Sequence, residues 1–239
     1  MQLIVCISGQ IRTARICLPS LMTNLRSSGK TIYSISVWEE EFNEWLDLIQ
    51  ILNISEVIIK PYKSSKPAKI PNWIYSRGHR AAESTKPMFF LMQKSFEQIQ
   101  NNLSPKDVVV RYRPDLYLTE PLFIDSLDLS KVWLKHKINE TYYSDQFFIS
   151  NATIASLLFN TYNEIPWYWQ QVVEDDKFIP TGEKLFRRII QDKNLNSDEL
   201  KLQIPIIREK DSCWLKSLKK YSHFRLVLLV LKLHLKVLH

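Results

Sequence analysis

Four short apolar runs rich in β-branched residues set the frame of this chain: LIVCIS within 2–8, TIYSISVW at 31–38, EVIIK at 56–60 and DVVVRYR at 107–113. Short apolar runs of this kind read as buried strands. Between them lie stretches with helical spacing. Residues 13–27 carry Leu18, Leu21 and Leu25 on one face, with Pro19 in the first turns. Residues 39–52 carry Phe42, Trp45, Leu46 and Ile49. Residues 87–103, opened by Pro87, carry Met88, Met92, Phe96, Ile99 and Leu103. Strand–helix alternation predicts an α/β fold with a mostly parallel central sheet flanked by helices. Further strands are expected at 132–135 and 146–150, and helices at 152–162 and 183–193. Residues 1–200 read as the folded domain and 201–239 as a separate basic, apolar segment.

Ligands of such sheets bind beyond the carboxyl ends of the strands. Here those ends are Ser8–Arg12, Trp38–Glu40, the Pro/Lys/Ser-rich loop at 61–79, and Arg113–Asp115. Composition removes several chemistries. Only Gly9, Gly29, Gly78 and Gly182 are glycine, so neither a phosphate-binding G-x-x-x-x-G-K-[ST] loop nor a dinucleotide G-x-G-x-x-G turn is present. Three cysteines without a C-x-x-C pair argue against a zinc ribbon and fit a reducing compartment. The N-terminal run has no basic flank and no small-residue cleavage site, and reads as a strand rather than a leader.

The net charge of +7 is unevenly placed. Residues 201–239 hold nine Lys/Arg against two Asp/Glu, so positions 1–200 are neutral. A folded basic face for nucleic acid is therefore not expected. Residues 224–238 are too short and too charged to cross a bilayer, which takes about 20 apolar residues. Arg225, Lys232 and Lys236 fall in one narrow helical stripe among Leu and Val, with Trp214, Lys216, Lys219, Lys220 and Tyr221 upstream. That pattern predicts a basic amphipathic helix lying in the headgroup layer of an anionic membrane.

Five stretches carry candidate chemistry. In Ser8-Gly9-Gln10-Ile11-Arg12-Thr13, Gly9 lets the backbone approach a ligand, the next helix offers free N–H groups, and Arg12 offers a planar fork for phosphate oxygens. A tight turn with a solvated arginine is the simpler alternative. In Arg111-Tyr112-Arg113-Pro114-Asp115, alternation sets both arginines on one face, and Asp115 follows the strand end. Two such arginines need an anion or a carboxylate. They could bind a diphosphate, or Arg113 and Asp115 could form a structural pair. Asp145, in Ser144-Asp145-Gln146, is a candidate general base or a turn residue. Arg80, next to His79, and Ser84-Thr85-Lys86 precede the expected helix start at Pro87, as a phosphate cradle or as ordinary caps. Glu183 opens a helix after Pro180-Thr181-Gly182, where the helix dipole favours an acid.

These stretches, in this order, resemble bacterial polysaccharide glycosyltransferases of the WavE-like kind. The resemblance rests on ISGQIRT at 7–13, VWEE at 37–40, HRAAESTK at 79–86, VVVRYRPDLYL at 108–118 and SDQFFIS at 144–150. It implies a GT-A-like fold and transfer of a sugar from a nucleotide-sugar donor to a lipid-linked saccharide acceptor of lipopolysaccharide core, O-antigen or capsule. The setting it implies is the inner face of the plasma membrane. Gly9 and Arg12 would then meet the nucleotide, Arg80 and Lys86 the phosphates, and Arg113 and Asp115 the diphosphate or a metal; Ser8, Gln10 and Arg111 join the nucleotide-sugar side from their places in the same stretches. Asp145 would face the acceptor. A divalent cation, Mn or Mg, would sit at Asp115, or transfer would proceed without one. Two departures stand out: Ala81 replaces an expected glutamine, and Asp115 is a single acid rather than a D-x-D pair. The rival readings are a non-catalytic nucleotide-sugar-binding subunit and a polyprenyl-linked phosphotransferase, which would need more membrane-embedded helix.

Overall fold

The computed structural model describes residues 1–64, 80–138, 142–176 and 181–207. Its centre is a seven-stranded sheet in the order β11-β7-β10-β5-β1-β3-β4. The strands are β1 (Leu3–Ser8), β3 (Thr31–Trp38), β4 (Val57–Tyr62), β5 (Val108–Tyr112), β7 (Val132–Leu134), β10 (Phe147–Asn151) and β11 (Ser197–Glu199). Within this sheet β10 alone runs against its neighbours, β5 and β7, and the other pairings are parallel. The expected mostly parallel α/β sheet is therefore present. Shorter pairs form between β2 (Leu25–Arg26) and β6 (Leu122–Phe123), and between β8 (Lys137–Ile138) and β9 (Tyr142–Tyr143).

Strand alternation divides the core in two. Leu3, Val5 and Ile7 of β1 join Val108 and Val110 of β5, with α1 (Ala14–Asn24) and α2 (Phe42–Ile51) supplying Leu18, Leu21, Trp45 and Leu48. Ile4, Cys6 and Val109 face the other way. They pack with Phe89, Met92 and Phe96 of α3 (Arg80–Glu97), Ala155 and Phe159 of α4 (Ala152–Phe159), Trp169 of α5 (Ile165–Asp176), and Leu185, Phe186 and Ile189 of α6 (Gly182–Asp192). Large apolar side chains buried on both faces supply the main driving force for folding, at about 25 cal/mol per Å² removed from water. Asn151 caps α4 by accepting from Ile154 N at 2.9 Å, and Thr181 caps α6 by accepting from Lys184 N at 3.4 Å.

Two expectations are corrected. The helix expected to open at Pro87 begins at Arg80, and Pro87 lies inside it. Ser84, Thr85 and Lys86 are thus within the helix, and no phosphate cradle forms at a helix start there. The apolar face through Phe89, Met92 and Phe96 extends backward to the buried Thr85, and packing of that face outweighs the missing N–H at Pro87. The second correction is α5, a helix beyond those expected from the sequence. Its buried Ile165, Tyr168, Trp169 and Val172 follow helical spacing. The C-terminal residues 208–239, with the expected amphipathic helix, lie outside the described residues.

Candidate active site

The carboxyl ends of β1, β3, β4, β5 and β7 share one edge of the sheet. Because β10 is antiparallel, its entry brings Asp145 and Gln146 to that same edge: Arg113 N donates to Gln146 O at 3.1 Å, and Lys135 N donates to Phe147 O at 3.3 Å. Residues from three distant stretches of sequence therefore meet here.

Ser8 ends β1, and Gly9 turns the chain at φ +139°, a conformation open to glycine. A side chain at 9 would stand 2.9 Å from Pro114 Cδ and 3.4 Å from Arg113 Cγ, so the turn lies directly on the Arg-Pro-Asp loop. Gln10 and Arg12 are exposed and Ser8 is buried. The turn is not left free to meet a ligand at every N–H. Ile11 N donates to Glu41 Oε2 at 3.3 Å, and burial first of all raises the Glu41 carboxyl, with the charge of Arg12 pulling it back. Glu41 lies one residue beyond the VWEE stretch and was not singled out from sequence.

The loop after β5 is fixed from several sides. The Tyr112 hydroxyl is shared between the carbonyls of Cys17 and Leu116, Leu116 N donates to Arg113 O at 3.1 Å, and Ile207 N donates to Asp115 O at 2.7 Å. Arg113 and Asp115 form a two-point ion pair, Nε to Oδ1 at 2.6 Å and Nη2 to Oδ2 at 2.9 Å, with about a quarter of each side chain exposed, 23% and 26%. Both oxygens of Asp115 are thus engaged.

Beneath this rim is a desolvated floor. Arg111 is fully buried; Nη1 donates to Tyr112 O at 2.6 Å, while Nε and Nη2 have no partner. Burial lowers its pKa to about 10, opposed by the charge of Asp145. Asp145 is also buried and Oδ1 accepts no hydrogen bond. Burial, then the negative charge of Glu183, pushes its carboxyl up to about 7, against the pull of Arg113 and Arg111. The Ser8 and Ser144 hydroxyls are buried and unpaired too. Orphaned buried polar atoms are uncommon in folded proteins, and several together mark a functional place.

Gly182, the first residue of α6, sets the position of Asp145. A methyl group there would stand 1.9 Å from Asp145 Oδ2, so only hydrogen allows this approach of a helix N-terminus to the carboxylate. Lys135 and His136, not predicted from sequence, complete the edge. Burial lowers the pKa of each, and Lys135 lies within electrostatic reach of Arg113, Asp115, Asp145 and Glu183. Lys135 Nζ donates to Gln146 Oε1 at 3.4 Å.

The structure thus brings Ser8, Gly9, Arg111, Arg113, Asp115 and Asp145 together, with Gln10 and Arg12 on the adjoining turn. Lys86 instead places its ammonium 5.5 Å above the ring of Tyr162. Arg80 opens α3, and its side chain lies outside the described residues.

The donor set does not suit a divalent cation. Among the described residues no three His, Cys, Asp or Glu side chains converge, and Arg113 already takes both oxygens of Asp115.

No protein-family model matches the sequence, and no curated protein matches it. Solved structures do. The crystal structure of mouse xyloside xylosyltransferase 1 in its apo form matches with a TM-score of 0.50 at 12% identity, over 83% of this chain and 84% of that one. That likeness, with the seven-stranded sheet, shows that the fold is of the GT-A glycosyltransferase type.

Proposed function

We propose that this protein is a glycosyltransferase that moves a sugar from a nucleotide-sugar donor to a lipid-linked saccharide of a bacterial surface polysaccharide, at the inner face of the plasma membrane. The observation that carries the reading is the meeting of Arg111, Arg113 and Asp145 at the carboxyl edge of a GT-A-type sheet. Ser8, Gly9, Gln10 and Arg12 form the nucleotide side of the site. Arg111 and Arg113 face the diphosphate. Asp145 serves as base: its unpaired Oδ1 takes the proton of the acceptor hydroxyl as that oxygen bonds to the anomeric carbon. The anomeric C–O bond breaks, and its electron pair leaves on the nucleoside diphosphate. A base with a pKa near 7 is well matched to work at neutral pH. This assignment makes the transfer an inverting one.

The polysaccharide acceptor is supported by the order of the five sequence stretches and by the basic composition of the segment that follows Ile207. Ile207, the last described residue, is held at the site: its N–H donates to Asp115 O at 2.7 Å and its carbonyl accepts from Thr13 Oγ1 at 3.1 Å. The segment that follows carries a net charge of about +6 after Lys201 is set aside. A tail drawn to anionic lipid would hold the site near a membrane-embedded acceptor. No helix among the described residues is long and apolar enough to cross a membrane.

The test is a thermal-shift screen of nucleotide sugars, followed by turnover of the best donor with a lipid-linked acceptor. Saturable stabilisation by one donor and release of its nucleoside diphosphate are expected. Binding without turnover would favour a non-catalytic subunit, and stabilisation by no donor would end the reading. For the tail, deletion of 208–239 is expected to abolish sedimentation with anionic liposomes at low salt.

A further inference from the structure

We infer that the donor's diphosphate is held and stabilised by fixed guanidinium groups of this chain, without a divalent cation. The inference rests on the donor-site reading above and goes beyond it. A metal-dependent site needs carboxylates free to coordinate, and the one acid at the end of β5 is not free. Arg113 stands two residues before Asp115 and closes on both of its oxygens, at 2.6 and 2.9 Å. Where a D-x-D pair would present two acids, this chain presents a cation and an acid that neutralise each other. Asp145, the other acid nearby, is buried against the N-terminus of α6 and lies beside Arg111.

The positive charge that a metal would bring is instead built into the floor. Arg111 is fully buried and keeps two nitrogens, Nε and Nη2, without a partner. An arginine taken out of water at several kcal/mol is expected to have its donors satisfied. Here two of them are not, and an anion brought to this edge of the sheet would satisfy them. Arg113 lies next to it, and Lys135 approaches from β7. Asp115 and Asp145, with Glu183 within electrostatic reach, offset the charge of these three cations. A diphosphate therefore binds with the Arg113–Asp115 pair kept, meeting Arg113 at Nη1, the nitrogen that Asp115 does not take. Guanidinium donors suit phosphate oxygens as well as carboxylates. On departure of the leaving group, fixed guanidinium donors meet the charge that develops on the diphosphate.

The experiment is calorimetric titration of UDP, GDP and CDP into the full chain, in EDTA and again in Mn²⁺. At least one is expected to bind in EDTA, with an affinity that Mn²⁺ changes less than about threefold. In R113D, which places two acids around Pro114, binding in EDTA is expected to fall at least tenfold and to be recovered by Mn²⁺. The R113Q variant serves as a milder control of the same contact, and melting curves confirm that each variant is folded. Tightening of wild-type binding by tenfold or more in Mn²⁺ overturns the inference while leaving the donor site intact. Unchanged binding by folded R113D and R113Q in EDTA also overturns it, because Arg113 then does not touch the diphosphate. Binding of none of the three nucleotides under either condition overturns the donor-site reading itself.

Discussion

The turn after β1 and the floor beneath β5 are two halves of the proposed site, built on opposite physical terms. Gln10 and Arg12 sit in water, and their charges and amides are solvated before any ligand arrives. Arg111 and Asp145 sit out of water, with donor and acceptor atoms that nothing satisfies. A solvated group contributes little beyond orientation and is easily screened. A desolvated one acts through a low-dielectric medium, where its interaction with a reacting group is far stronger. The comparison teaches where this protein gives up folding stability: in the floor, where buried polar atoms go unsatisfied, and only slightly in the solvated rim.

The largest effect should come from Asp145→Asn. Loss of a general base lowers turnover by about 10²–10⁴-fold. Stability should move the other way. The Asp145 carboxyl is raised from its ordinary 3.8 to about 7, chiefly by burial. The folded state therefore binds a proton that the unfolded chain has released between those values, and stability is lost as pH rises through that window. Asparagine avoids that loss. The variant should melt higher than the parent at pH 8, and the difference should shrink toward pH 4. Thermal melting of both proteins across this range is the check. A variant that melts lower at pH 8 would place Asp145 as a structural anchor of α6 and erase the contrast with the rim.

These two halves were unequally legible in the sequence. The strand ends were readable because β-branched runs announce buried strands and topology places ligands past their ends. Arg113 and Asp115 can be named on that ground, but their pairing is a matter of side-chain geometry, the 2.6 and 2.9 Å contacts, that no sequence pattern dictates. Asp145 gave only a weak signal, since an aspartate before a strand also reads as a turn residue. Gly182 gave none of its role: its hydrogen matters because Asp145 lies against it, a contact set by packing of α6 and not by local pattern. Lys135 and His136, within a Lys-His-Lys run, read as a solvated charge cluster until burial shows otherwise. Pro87 misplaced the start of α3 because a proline is so often a first-turn residue. The buried Thr85 was the overlooked sign that the apolar face continues.

Gly9→Ala tests the seam between the halves and should have an intermediate effect. The residue is held at φ +139°, and an added methyl would meet Pro114 Cδ at 2.9 Å. Strain of this kind costs about 1–3 kcal/mol. Either the turn rotates or the Arg-Pro-Asp loop shifts, and the loop is fixed by Tyr112 and Ile207. The turn should give way, so loss of stability should accompany weaker donor binding, with the pH profile of turnover unchanged. Chemical denaturation and donor titration measure the first two. A displaced pH profile would show that the rim and floor are mechanically one unit.

Arg12→Ala should have the smallest effect, and its salt dependence makes it informative. The side chain is exposed at the start of α1, with Glu41 as its electrostatic neighbour. Its removal leaves no buried group unpaired, so stability should change by less than about 0.5 kcal/mol. A charged contact to a phosphate made at the surface contributes about 1 kcal/mol, which corresponds to a roughly fivefold loss of donor affinity. Ionic strength separates this contribution from that of the floor. The Debye length falls from about 10 Å at 0.1 M salt to about 3 Å at 1 M, so the Arg12 effect should vanish over that range. The loss of turnover in Asp145→Asn should not, because a buried group is screened far less. Donor titrations of the parent and the Arg12 variant at both salt concentrations give the comparison. Persistence of the fivefold difference in high salt would mean that Arg12 is drawn out of water by the bound donor, and that the rim closes into part of the floor when the site is filled.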